Sequence, residues 1–209
     1  MPKGEMKLGY TAEVSEDKTP LYMRLLMYGE SGTGKTETVL REFPGPILVI
    51  DTESGTDVAR RKTAIPPFTV VKTKSCAVAS EVIADVKSGK LTQNGVPFKT
   101  ICIDQISTLY SVRQMAGHER AVRRATKNAQ KYGDGNVNAD DVNVEQLDWN
   151  AIKRPLIKLY DDLIDGKLNC HVVLLAHEKE LSENDKKNNT AKKRADSDGI
   201  FLADAEKST

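Results

Sequence analysis

The stretch LLMYGESGTGKTETVL, residues 25–40, decides how this chain is read. Apolar residues run straight into Gly29, and Lys35 and Thr36 then open a segment with helix-like spacing. From Gly29 to Thr36 the pattern is G-x-x-x-x-G-K-[ST], with Glu30, Ser31, Gly32, Thr33 and Gly34 forming the loop. Glycines let successive backbone N–H groups turn inward around a polyphosphate, and the helix that follows presents its positive end to the same charge. Lys35 is placed to reach the β- and γ-phosphates, and the Thr36 hydroxyl to coordinate Mg²⁺. A plain Gly-rich turn would account for the glycines but not for Lys-Thr at this spacing after a strand. The stretch points to a bound nucleotide.

Around it, the remaining sequence reads as an α/β protein. Apolar strands are expected at Tyr22–Tyr28, Ile47–Ile50, Phe68–Lys72, up to Ile103, and in CHVVLLAHE (170–178). Helical spacing is expected over Lys35–Phe43, Ala77–Lys87, Ile106–Lys131 and Val144–Ile164, the last with a kink at Pro155. Strands that are continuously apolar, and that alternate with helices, predict a mostly parallel sheet covered on both faces. In such a sheet ligands sit at the carboxyl ends of the strands. We expect an arm or covering strand at 1–20, a core at 21–178 and a mobile basic loop with a C-terminal segment at 179–209.

Composition bounds the partners. The 209 residues suit one domain with a core of its own. Thirty-one basic residues against thirty acidic ones exclude a uniformly polyanion-binding surface, so nucleic-acid affinity must come from local patches. Cys76, Cys102 and Cys170 have no metal-type spacing and read as buried free thiols in a reducing cytoplasm. No run has transmembrane length, so no membrane partner is expected.

A phosphate loop needs an acid at the end of a buried strand to hold the water shell of Mg²⁺. Asp104, after Ile101-Cys102-Ile103, supplies it. Its neighbour is Gln105, which cannot act as a base. The strand ending in VIDTE carries two further acids, Asp51 and Glu53, and by alternation both lie on one side of it. Either can face the γ-phosphate.

GESGTGKT, VIDTE, ICIDQISTL and VVLLAHE follow one another in the order and rough spacing of the RecA-type recombinase ATPases. Over about Tyr22–Glu178 the chain most resembles the smaller RecA-like P-loop NTPases of bacteriophages, some of which act in single-strand annealing. The resemblance implies ATP and Mg²⁺ as ligands, Glu53 as the catalytic carboxylate and Asp104 as the metal acid. It also implies a homo-oligomer acting on single-stranded DNA in the cytoplasm, the host's if the chain is phage-encoded. The departure is His177, which stands where that family carries a Gln sensing the γ-phosphate. An imidazole can donate to phosphate and would bring pH sensitivity. RecA-type cores continue with further strands, so GIFLADAEKST would be a shortened end.

Two basic segments are candidates for DNA contact. Arg113, Arg120, Arg124, Lys127 and Lys131 fall on one helical stripe, with Met115, Val122, Ala125 and Ala129 opposite. KKNNTAKKR, with Lys192, Lys193 and Arg194, directly follows the His177 strand, where the resemblance implies a DNA-binding loop. Charge stripes are usually only solvated faces, and neither segment offers stacked aromatics. Two other functions fit parts of the sequence: an ATP-binding assembly module with negligible turnover, and a nucleotide kinase-like phosphotransferase. A GTPase is disfavoured by the lack of an N-K-x-D motif.

Overall fold

The computed structural model describes residues 21–132, 137–180 and 193–195. Five parallel strands form the sheet: β1 (Arg24–Gly29), β2 (Ile47–Asp51), β3 (Thr69–Lys72), β4 (Thr100–Asp104) and β5 (His171–Glu180). Their order across it is β1-β5-β4-β2-β3. The strand β5, which follows all the other parallel strands in sequence, is therefore inserted between the phosphate-loop strand and the strand that ends in Asp104. Five helices connect them: α1 (Lys35–Glu42), α2 (Thr56–Ala59), α3 (Cys76–Lys87), α4 (Ile106–Tyr132) and α5 (Gln146–Ile164).

Alternation along the strands feeds two cores. Ile47, Val49, Cys102, Val173 and Leu175 face one side and meet Val39 and Leu40 of α1 and Ala59 of α2. Leu48, Ile50, Ile101, Ile103, Val172 and Leu174 face the other and meet α3, α4 and α5. Every residue of β2 and β4 is buried, as continuously apolar strands in a doubly covered sheet require. The three cysteines are free and buried. No helix among the described residues is long and apolar enough to cross a membrane.

The structure departs from the sequence reading in four places. β1 is not a buried strand. Among the described residues it pairs with β5 alone, and Met23, Leu26 and Tyr28 are exposed while Leu25 and Met27 pack beneath α1. A short helix, α2, follows the second strand, and four residues are too few to show a period.

The basic tail contributes a strand, β6 (Lys193–Ala195), antiparallel to Glu178–Glu180 of β5. Backbone pairing needs no apolar period, which is why the sequence shows no sign of it. This gives Lys193 and Arg194 a place in a strand rather than in a mobile loop. Lys192 and the arm at 1–20 lie outside the described residues.

Finally, α4 turns Gly117 and Ala121 inward, and leaves Met115 67% exposed. A side chain at Gly117 would collide with Ile152 of α5, 2.3 Å from the position of its Cβ. The close approach of α4 and α5 thus uses small residues, not the apolar set assigned to that face from the sequence. Helix α5 runs through Pro155 to Ile164.

Candidate functional site

The carboxyl ends of β1, β2, β4 and β5 open onto one edge, and the loops leaving them carry the candidate residues. The loop after β1 is shaped by Gly32 and Gly34, whose φ values of 80° and 85° lie in the left-handed region that side-chain-bearing residues avoid. Gly34 is also the cap residue of α1, so the loop passes directly into a helix N-terminus. Lys35 is buried and its Nζ donates to the carbonyls of Gly29 and Glu30, each at 2.8 Å. The ammonium braces the loop from inside, next to the place a phosphate would take. Thr33 Oγ1 closes the loop by donating to Glu30 O at 2.9 Å.

Thr36, in the first turn of α1, donates through Oγ1 to Asp104 Oδ2 at 2.7 Å. The two oxygens predicted to serve one cation are thus adjacent, although 68 residues separate them in the chain. Asp104 is only 2% exposed. Burial lifts its carboxyl above the usual range, and the neighbouring Asp51 and Glu53 add to this, while the Thr36 bond and Lys35 oppose it. A divalent cation would relieve that burden, and hydroxyl and carboxylate oxygens are the donors Mg²⁺ prefers. Among the described residues no group of three or more His, Cys, Asp or Glu side chains could hold a metal. One hydroxyl and one carboxylate would suit an ion that takes its remaining ligands from water and phosphate, as Mg²⁺ does at nucleotide sites.

Asp51 and Glu53 part company in the structure. Asp51 is 2% exposed and turned into its own loop. Its Oδ1 accepts from the amides of Glu53 (3.0 Å) and Ser54 (2.7 Å), and its Oδ2 from the amide of Thr56 (3.1 Å) and from the Thr56 hydroxyl. With both oxygens occupied, Asp51 builds the turn and Glu53 is what the turn presents. Thr52 welds that turn to the next strand. Its amide donates to Asp104 O at 2.7 Å, and its hydroxyl accepts from the Gln105 amide at 2.9 Å.

Glu53 points across the sheet edge, where the Thr108 hydroxyl donates to its Oε1. His177 Nε2 lies 3.1 Å from Oε2 and 3.3 Å from Oε1. A carboxylate only accepts, so in this arrangement Nε2 carries the proton. Strand pairing sets the distance: His177 is opposite Gly29 in the β1–β5 register, two residues beyond Leu175, which is opposite Asp104. His177 thus stands at the mouth of the phosphate loop. Its amide donates to Ser107 Oγ at 3.3 Å. Glu53, His177, Lys35, Thr36 and Asp104 are therefore brought together.

The sequence did not single out Ser107 or Thr108. Their signal was two hydroxyls directly after the strand that ends in Asp104. Nothing local said that they would meet residues 55 and 70 positions away.

The basic stripe on α4 divides. Arg113 donates to the Ala151 carbonyl of α5 at 2.6 Å. Arg124 holds Asp148 at 2.6 Å and Glu145 at 3.1 Å, at the start of the same helix. Burial raises the Asp148 carboxyl, but the Arg124 guanidinium and the Glu145 amide outweigh it and leave it below the ordinary value. These two arginines fasten α4 to α5, because the stripe borders the Gly117–Ala121 contact. Arg120, Lys127 and Lys131 remain exposed. His171 is structural, accepting the Met23 amide through Nδ1 at 3.1 Å and packing edge-on to Tyr22.

A family model described as an AAA domain matches residues 21–199. No curated protein matches the chain.

Proposed function

Since the chain belongs to the AAA domain family, whose members are P-loop NTPases, we propose that it is a Mg²⁺-dependent ATPase of RecA-like type. The reading adds that it works on single-stranded DNA as an oligomer, in recombination or annealing. The observation that carries the catalytic part is the Glu53–His177 pair, reaching from two separate strands to the mouth of the phosphate loop.

In this reading the glycine loop, Lys35 and the α1 N-terminus bind the β- and γ-phosphates, and Thr36 and Asp104 would hold Mg²⁺ beside them, where it would supply positive charge against the phosphate oxygens. Glu53 takes a proton from a water whose oxygen bonds to the γ-phosphorus, and the bond from that phosphorus to the bridging oxygen breaks. ADP and phosphate leave. Glu53 suits the task because it is part-exposed, and water can reach it. His177 has one Nε2 proton to donate, so it serves either Glu53 or a phosphate oxygen. That exchange would link the state of the nucleotide to the position of the carboxylate.

The DNA part rests on Arg120, Lys127 and Lys131, exposed on α4, and on the basic segment after β5. The test is steady-state phosphate release with and without single-stranded DNA, alongside nucleotide binding. Glu53→Gln should bind Mg·ATP normally and release phosphate about 10²-fold more slowly or worse. Normal turnover in that variant would remove the base assignment. Turnover indifferent to DNA would remove the DNA coupling.

A further inference from the structure

The first turn of α4 holds both members of the catalytic pair. Ser107 Oγ accepts the backbone amide of His177, and the adjacent Thr108 donates its hydroxyl to Glu53 Oε1. That turn is firmly seated, since Ile106, Ser107 and Leu109 are all buried. Thr108 is β-branched, which limits its χ1 to few rotamers, and its hydroxyl is carried on this rigid support.

We propose that Thr108 is a positioning residue that keeps Glu53 aimed at the reacting water when His177 turns to phosphate. The inference rests on Glu53 being the base.

Two arguments carry it. First, Glu53 has few restraints of its own. It projects from the turn built by Asp51, and its carboxylate meets Thr108 and His177. If His177 exchanges its proton partner, Thr108 is the anchor that remains. Second, the anchor does not block the chemistry. A carboxylate offers about four lone-pair sites, so one hydroxyl bond on Oε1 leaves room to accept from water. Free rotation of an unanchored Glu side chain would scatter the carboxylate away from the attacking geometry, which is a loss in turnover rather than in binding.

The experiment compares Thr108→Val, which removes the hydroxyl at nearly constant shape, with Thr108→Ser, which keeps it. Each is placed in the wild-type and Glu53→Gln backgrounds, with kcat, KM and nucleotide affinity measured. Thr108→Val should lower kcat about tenfold, the scale of one lost hydrogen bond to a charged group, with KM and affinity unmoved. Thr108→Ser should recover most of that loss. In the Glu53→Gln background Thr108→Val should add nothing, because the group it positions has been disabled. A full tenfold loss in both backgrounds, an equal defect in Thr108→Ser, or no loss in Thr108→Val would each overturn the role of Thr108. Normal turnover by Glu53→Gln alone would instead overturn the base assignment, and this inference with it.

Discussion

The loop from Gly29 to Thr36 takes its shape from glycine backbone and a lysine that bonds to carbonyls five and six residues before it. The turn from Asp51 to Thr56, at the same sheet edge, is shaped by a buried carboxylate that accepts four hydrogen bonds. What it presents, Glu53, is held from 55 and 124 residues away. The first region is shaped chiefly by its own residues. The second is correct only if the whole sheet is. Binding should therefore depend on short-range chemistry, and turnover on long-range register.

Removing the centre of the local region should have the largest effect. Lys35→Ala deletes the buried cation beside the phosphates, and loss of a buried charge-assisted contact lowers affinity by about 10²-fold or more. Isothermal titration with Mg·ATP checks it, and unchanged affinity would end the phosphate-loop reading.

The acid turn should fail in the opposite pattern. Asp51→Asn replaces one acceptor oxygen with a donor, so either the Thr56 pair or the Glu53 and Ser54 amides lose their partner. An unsatisfied buried group costs about 1–3 kcal/mol, visible in denaturant unfolding. Phosphate release should fall with it, while nucleotide affinity holds. Equal losses of affinity and turnover would mean that the two regions are not separable.

Asp104 belongs to both regions, and its charge sharpens the contrast. Its carboxyl is held above the ordinary range, first by burial and then by Asp51 and Glu53. The folded chain therefore keeps a proton there that the unfolded chain has already released. Stability without ligand must fall as pH rises from the unfolded value through the raised one. The ionised group is a burden to the ligand-free fold, so above the raised value Asp104→Asn should raise Tm without ligand. The same change should abolish the Mg²⁺-dependent part of nucleotide binding. In the unmutated protein that part should weaken as pH falls through the raised value, because the cation needs the carboxylate. A lower Tm together with intact Mg²⁺ dependence would contradict both halves.

The smallest effect concerns a region remote from both. Replacing Arg120, Lys127 and Lys131 with Ser should flatten the salt dependence of single-stranded DNA binding by about two units of slope, at roughly 0.7 per contact. Mg·ATP affinity should not move. An unchanged slope would make these side chains a solvated face. Arg113 and Arg124 are left out of that variant because they bond to α5.

Much of the fold was legible because its signals are short. Apolar runs gave the strands and helical spacing the helices, since burial on two faces leaves no polar alternation. The phosphate cradle was legible because Gly, Lys and Thr must stand at fixed offsets to fit one ligand. Asp104 could be picked out as the acid ending a buried strand. The face of α4 was misread because Gly117 and Ala121 carry little apolar signal, yet allow the closest approach to α5. β6 left no mark because main-chain pairing is indifferent to side chains.

The sequence by itself determined the chemistry on offer: a phosphate loop, a hydroxyl for a cation, and several acids and one imidazole at strand ends. Only the tertiary structure decided which acid is enclosed and which is presented at the sheet edge. Asp51 and Glu53 are equivalent in strand alternation, and separate only because one folds back onto its own amides while the other meets Thr108 and His177. That meeting requires β5 to lie between β1 and β4, in the register that sets His177 opposite Gly29. Strand order and register are global outcomes of how the two apolar cores pack, and no window of residues contains them.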